Sequence, residues 1–112
     1  MANIIYMKRN DTRPFLDVTL TDIDGTAMDL TSAQSVTFTM KDSDTNEVKV
    51  NSQACTFVDQ AGGAVRYSWA PVNTDTAGTY LGEFEITYGV DDRLTVPTQG
   101  VLTIAILEDY NG

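Results

Sequence analysis

Apolar and polar residues alternate singly along much of this chain, most regularly over residues 80–88. Tyr80, Gly82, Phe84, Ile86 and Tyr88 fall on one side, and Leu81, Glu83, Glu85 and Thr87 on the other. A period of two is the spacing of a half-buried β-strand. The same pattern predicts an edge strand over residues 3–8 and a strand over 15–21 with Leu16, Val18 and Leu20 inward. Another covers 35–41 with Val36, Phe38 and Met40 inward. Short strands over 47–50 and 54–58 read as one ribbon bent near Asn51-Ser52. Residues 64–69 place Val65, Tyr67 and Trp69 on one face, residues 93–96 form a short strand, and 101–107 put Leu102, Ile104 and Ile106 together.

Turn chemistry separates these segments. Pro14 removes a ladder donor after Asn10-Asp11-Thr12-Arg13. Asp22-Ile23-Asp24-Gly25-Thr26 supplies the positive φ of a tight turn, and Asp42 to Asn46, Asp59 to Gly63 and Gly89 to Asp92 are similar. Leu30 sits in a linking arc as a plug for one end of the core. No long segment has the 3.6-residue period of a helix. Seven to nine short strands with regular turns predict an all-β, immunoglobulin-like antiparallel β-sandwich, with a small closed barrel as the runner-up.

The strongest local signal is the entry to the long strand, Asp75-Thr76-Ala77-Gly78-Thr79-Tyr80. It matches the tyrosine corner of sandwich folds, where a phenol hydroxyl bonds the backbone a few residues upstream and locks the crossing between sheets. Asp75, Gly78 and Tyr80 are its candidate structural residues. Antibody-type features are missing: Gly82 stands where the second cysteine would follow the corner tyrosine, and Trp69 precedes the corner.

The 112 residues suit one domain, expected over 1–112 with 108–112 as a loose tail. Sixteen acids and seven bases give a net charge of −9, which repels phosphate backbones and argues against nucleic acid as a partner. The apolar runs are too short to cross a bilayer, so no membrane insertion is expected. The start lacks the charged and apolar regions of a secretion signal, so folding in the cytoplasm of the producing cell is expected. One cysteine, Cys55, excludes an intrachain disulfide; beside Phe57 and Val58 it reads as a small hydrophobe.

With no histidine, only carboxylates and tyrosines are left for acid–base work. Glu83 and Glu85 share a strand face roughly 6.6 Å apart, a separation that overlaps the inverting-glycosidase range, but neighbouring acids on a solvated face are the ordinary case. Asp42, Asp44 and Asn46 match the first three ligand positions of a calcium loop. Glu47 stands where glycine is needed and Gln53 where the twelfth-position glutamate is needed, so an EF-hand is rejected and only a weak surface cation site remains. Asp22, Asp24 and Asp29 are explained by turn chemistry. No cofactor and no enzymatic activity are expected. Lys8, Arg9 and Arg13 cluster beside the predicted edge strand on an acidic body, and they are the candidate partner-docking residues.

A set of turn-and-strand motifs runs through the chain in order: Met7-Lys8-Arg9-Asn10-Asp11-Thr12, Leu20-Thr21-Asp22-Ile23-Asp24-Gly25-Thr26, and Asp29-Leu30-Thr31 leading into Val36-Thr37-Phe38-Thr39-Met40. It continues through Gly63-Ala64-Val65-Arg66-Tyr67-Ser68-Trp69, Asp75 through Glu85, and Thr95-Val96-Pro97. In these motifs the chain resembles the immunoglobulin-like amino-terminal domain of phage baseplate upper proteins and the small stand-alone phage proteins like it. The resemblance implies a non-enzymatic structural protein of a tailed-phage virion, partnered by other virion proteins in a homo-oligomeric or symmetric assembly at the baseplate, tail or fibre adaptor. In full-length members the domain anchors to the baseplate, and later segments carry receptor binding. Read as ending at Gly112, the chain lacks those segments, so capsid decoration or a neck position is an alternative. A module binding host-surface carbohydrate is a further alternative, and Tyr6, Tyr110 or an outward Tyr88 would have to form its aromatic platform.

Overall fold

The computed structural model describes residues 3–97 and 102–108. They form nine strands: β1 Asn3–Lys8, β2 Leu16–Thr19, β3 Ser35–Asp42, β4 Val48–Ala54, β5 Thr56–Asp59, β6 Ala64–Tyr67, β7 Gly78–Gly89, β8 Asp92–Val96 and β9 Leu102–Leu107. A 3-10 turn, Pro71–Thr74, links β6 to β7. The larger sheet has the order β1-β9-β7-β3-β4, with β8 also on β7; the smaller has the order β2-β6-β5. Their apolar faces enclose one core, so the all-β sandwich with no disulfide is the observed architecture.

β7 organises the larger sheet. Along one edge, residues 80–87 pair with β3. Along the other, residues 78–82 pair with β9 and residues 84–89 with β8. A twelve-residue strand is long enough to serve two short neighbours in succession. Its inward residues Tyr80, Phe84 and Ile86 are buried, and so are Val36, Phe38 and Met40 of β3 and Leu102, Ile104 and Ile106 of β9. The facing sheet contributes Leu16, Val65 and Tyr67, with Trp69 just beyond β6. Phe38 is the hub of the aromatic contacts, with ring centroids 5.0 Å from Tyr67, 5.8 Å from Trp69 and 5.1 Å from Phe84. Such tilted and edge-on pairs add to the stabilisation from area burial alone. Among the described residues the buried Trp69 indole N–H has no hydrogen-bond acceptor, and its ring stands nearly perpendicular to those of Phe38 and Tyr67.

Several expectations change in detail. The sandwich is not wholly antiparallel: β1 runs parallel to β9, with Asn3 beside Leu102 and Lys8 beside Leu107. Single-residue alternation fixes which face a strand buries but not the direction of its neighbour. The ribbon expected over 47–58 is two strands in different sheets. β4 runs through Asn51-Ser52, where Ser52 has φ +51°, and the chain changes sheet at Cys55. The strand expected over 15–21 is shorter, Leu16–Thr19, with only an isolated bridge from Thr21 to Ala27 beyond it. Val18 and Tyr88 are half-buried rather than fully inward. The expected tail falls mostly outside the described residues.

Two glycines are required by what surrounds them. Gly63 has φ +78°, and a Cβ there would lie 2.6 Å from the Met28 carbonyl oxygen, which is backbone and cannot turn away. Gly82 lies beneath the core rings: a Cβ would come within 2.8 Å of Phe38 Cε1 and 2.9 Å of Ile104 Cδ1. Gly82→Ala is therefore expected to destabilise the fold by about 1–3 kcal/mol through overpacking. Urea denaturation followed by tryptophan fluorescence measures this; a variant as stable as the parent would show that Phe38 does not fill that space.

Candidate functional site

The corner is built as a clamp. The Tyr80 hydroxyl donates to the Thr76 carbonyl oxygen at 2.7 Å, four residues upstream. The Tyr80 ring is 2% exposed, and burial pushes its pKa upward, so the hydroxyl stays protonated as a donor. Asp75 accepts from Lys49 of β4 and from the Thr76 hydroxyl at 2.9 Å, and the Lys49 hydrogen bond is the first cause holding its carboxyl below the usual range. Gly78 starts β7 opposite Ile106, and a Cβ there would meet the Tyr80 ring at an ordinary 3.6 Å.

The segment before the corner has two buried polar residues that the sequence pattern did not single out. Asn73 Oδ1 accepts from the Tyr67 hydroxyl at 2.7 Å and from the Ala70 N–H at 2.8 Å. Thr74, wholly buried, reaches the first loop of the chain. Its hydroxyl donates to the Asp11 carbonyl at 2.8 Å, and its own carbonyl accepts the Asn10 N–H at 2.8 Å. Only the unusual burial of small polar residues marks them, and a sequence does not display burial directly.

Through Thr74 the corner fixes the basic segment. The Arg9 N–H donates to the Leu107 carbonyl at 2.7 Å, and its guanidinium lies 3.4 Å from Glu108. The Arg13 guanidinium sits over the Phe15 ring at 5.3 Å. Arg66, which donates two hydrogen bonds to the Asp17 carboxylate, covers the same ring at 4.8 Å. Stacking on one aromatic surface brings two like charges to one place. Lys8 ends β1, an edge strand of the larger sheet. Lys8, Arg9 and Arg13 thus share one end of the molecule, beside the start of β7. A shallow groove there is lined by Tyr6, Lys8, Asp11, Arg13, Pro14 and Leu107.

The other candidates serve local structure. Asp42 Oδ1 accepts from the N–H groups of Asp44 and Thr45 at 2.8 and 3.1 Å, and Asn46, with φ +63°, closes that turn on the Asp42 carbonyl. Asp42, Asp44 and Asn46 therefore form a self-satisfied turn. Among the described residues no group of three or more carboxylate, histidine or cysteine side chains is arranged to hold a metal. Asp22 and Asp24 accept from the Thr26 N–H, and Asp29 accepts from the N–H and hydroxyl of Thr31. Glu83 and Glu85 lie on the outer face of β7, paired in register with Thr39 and Thr37. The Cys55 thiol is pushed up to about 12 by burial, which suppresses the reactive thiolate at neutral pH. Tyr110 lies outside the described residues.

Tyr80→Phe removes the clamp's donor and leaves the Thr76 carbonyl without it, so a loss of about 1–3 kcal/mol is expected. The check is the urea midpoint at unchanged slope; a midpoint equal to the parent's would mean that the corner is held by packing alone. No family model matches the chain and no curated protein matches it, so its site is defined by its own geometry.

Proposed function

We propose that this chain is a non-enzymatic structural module of a tailed-phage virion, an immunoglobulin-like sandwich that docks in a symmetric assembly at the baseplate, tail or fibre adaptor. One observation supports a docking role above all. Thr74 fastens Asn10 and Asp11 to the corner, so the loop that carries Arg9 and Arg13 on from Lys8, at the end of β1, is tied to the folded body. Fixed charges on a preorganised surface favour partner binding, because little order must be created on contact. The ordered turn-and-strand motifs that resemble phage baseplate domains supply the virion setting, with synthesis in the host cytoplasm. Capsid decoration and the neck are other positions within the same role.

Carbohydrate recognition is the reading from a different class. It calls for an aromatic platform, yet Trp69, Tyr80 and Phe84 are buried, and Tyr88 packs against the core. Among the aromatic side chains described, Tyr6 is the one strongly exposed, at 62%.

Particles produced by a host carrying this gene should contain the protein at a fixed stoichiometry and at a symmetric position, read by mass spectrometry and particle imaging. The isolated chain should show no saturable binding to a glycan array. Absence from purified particles would overturn the virion role, and saturable glycan binding would replace it with recognition.

A further inference from the structure

Two patches of unlike charge lie at opposite ends of β7: an acidic tip at its finish and, on the β1–β9 side of its start, a groove with two cations, while the acidic Asp42 turn occupies the β3 side of that start. Gly78 at its start lies beside Ile106, next to the Lys8–Leu107 pair; Gly89 at its finish closes onto Asp92. Twelve residues separate these ends by roughly 36 Å, most of the molecule's 44 Å length. At the finish, the β7–β8 tip presents Val90, 94% exposed, followed directly by Asp91 and Asp92. The Leu30 N–H to Gln60 carbonyl and Gln34 N–H to Thr87 carbonyl bonds gather further acidic turns, with Asp29 and Asp59, at this same end. At the start, the groove has apolar walls from Tyr6 and Leu107, cations from Lys8 and Arg13, and, among the described lining residues, the carboxylate of Asp11, with the Arg9–Glu108 ion pair alongside.

We propose that copies of this chain associate head to tail, with the Val90-Asp91-Asp92 tip of one copy seated in the Tyr6–Leu107 groove of the next. The tip offers an apolar side chain followed by two carboxylates ahead of Arg93, and the groove offers apolar walls with two cations against the Asp11 carboxylate. Both halves are on this one chain, so a second copy is the partner whose chemistry is already present. The net charge of −9 makes most approaches between copies repulsive. Acidic tip against basic groove is the approach that reverses that sign. Because the two surfaces lie at opposite ends, neither can satisfy the other within one molecule. The contact is heterologous and closes a ring or extends a filament according to its rotation. This deepens the docking role above by naming the partner, and it rests on that role for its setting.

Sedimentation velocity of the full chain tests it. Average mass should rise with concentration at low salt and fall back at high salt, since exposed charge contacts are screened. Lys8→Glu with Arg13→Glu, and separately Asp91→Asn with Asp92→Lys, should each weaken association on the order of tenfold. An equimolar mixture of the two double variants should re-associate, because each then carries the surface that complements the other. Val90→Ser, at a solvent-exposed position, should weaken association without lowering the unfolding midpoint. A parent that stays monomeric at low salt, reversals that leave association unchanged, or a mixture that stays monomeric would overturn the proposal. These readings need no virus particles, so the head-to-tail contact and virion membership can fail independently.

Discussion

Everything in this molecule is hung on β7. It pairs with β3 along one edge and with β9 and then β8 along the other. Its inward side chains also form the floor of the core that the smaller sheet covers. A strand shared in this way has to enter the sheet in a fixed register, because a slip of one residue would turn Tyr80, Phe84 and Ile86 to solvent. The hydrogen bond from Tyr80 to Thr76 sets that entry. Gly82 then keeps the sheet thin enough beneath Phe38 for the aromatic rings of both layers to meet.

The same corner holds the basic segment proposed above as the docking surface. Thr74 lies in the turn leading into β7 and holds the loop after β1 with both its hydroxyl and its carbonyl. Order is thereby passed from the core to the loop that carries Arg9 and Arg13 on from Lys8 at the end of β1. Preorganisation of this kind lowers the entropic cost of association, which for small interfaces decides whether binding occurs at all. The acidic turns at Asp22, Asp29 and Asp42, the last of them beside the start of β7, are stiffened differently, by carboxylates accepting backbone N–H groups of their own turns.

Much of this was legible in the residue pattern, and the limits have physical causes. Alternation located β3, β6, β7 and β9 and their buried faces, because burial on one face of a strand imposes a period of two. The Gly78-Thr79-Tyr80 entry stood out because a corner needs a compact turn and a long hydroxyl-bearing ring. The parallel pairing of β1 with β9 was not legible, since it depends on which distant strand lies alongside. The change of sheet at Cys55 was not legible, because polar Asn51-Ser52 at a bulge reads as a bend within one ribbon. Asn73 and Thr74 were missed because a buried polar residue and an exposed one have the same letter. Asp42, Asp44 and Asn46 resemble cation ligands for the reason that they make a good turn: acceptor side chains placed two apart beside backbone donors.

Native-state hydrogen exchange gives the most direct measurement of this architecture. If β7 is the element on which the rest depends, its amides at residues 80–87 and their β3 partners should exchange slowest, opening only with global unfolding. The edge strands β1, β5 and β8 should exchange faster, through local opening. Amides of β7 that exchange as readily as those of β5, while the chain remains folded, would contradict the central place given to that strand.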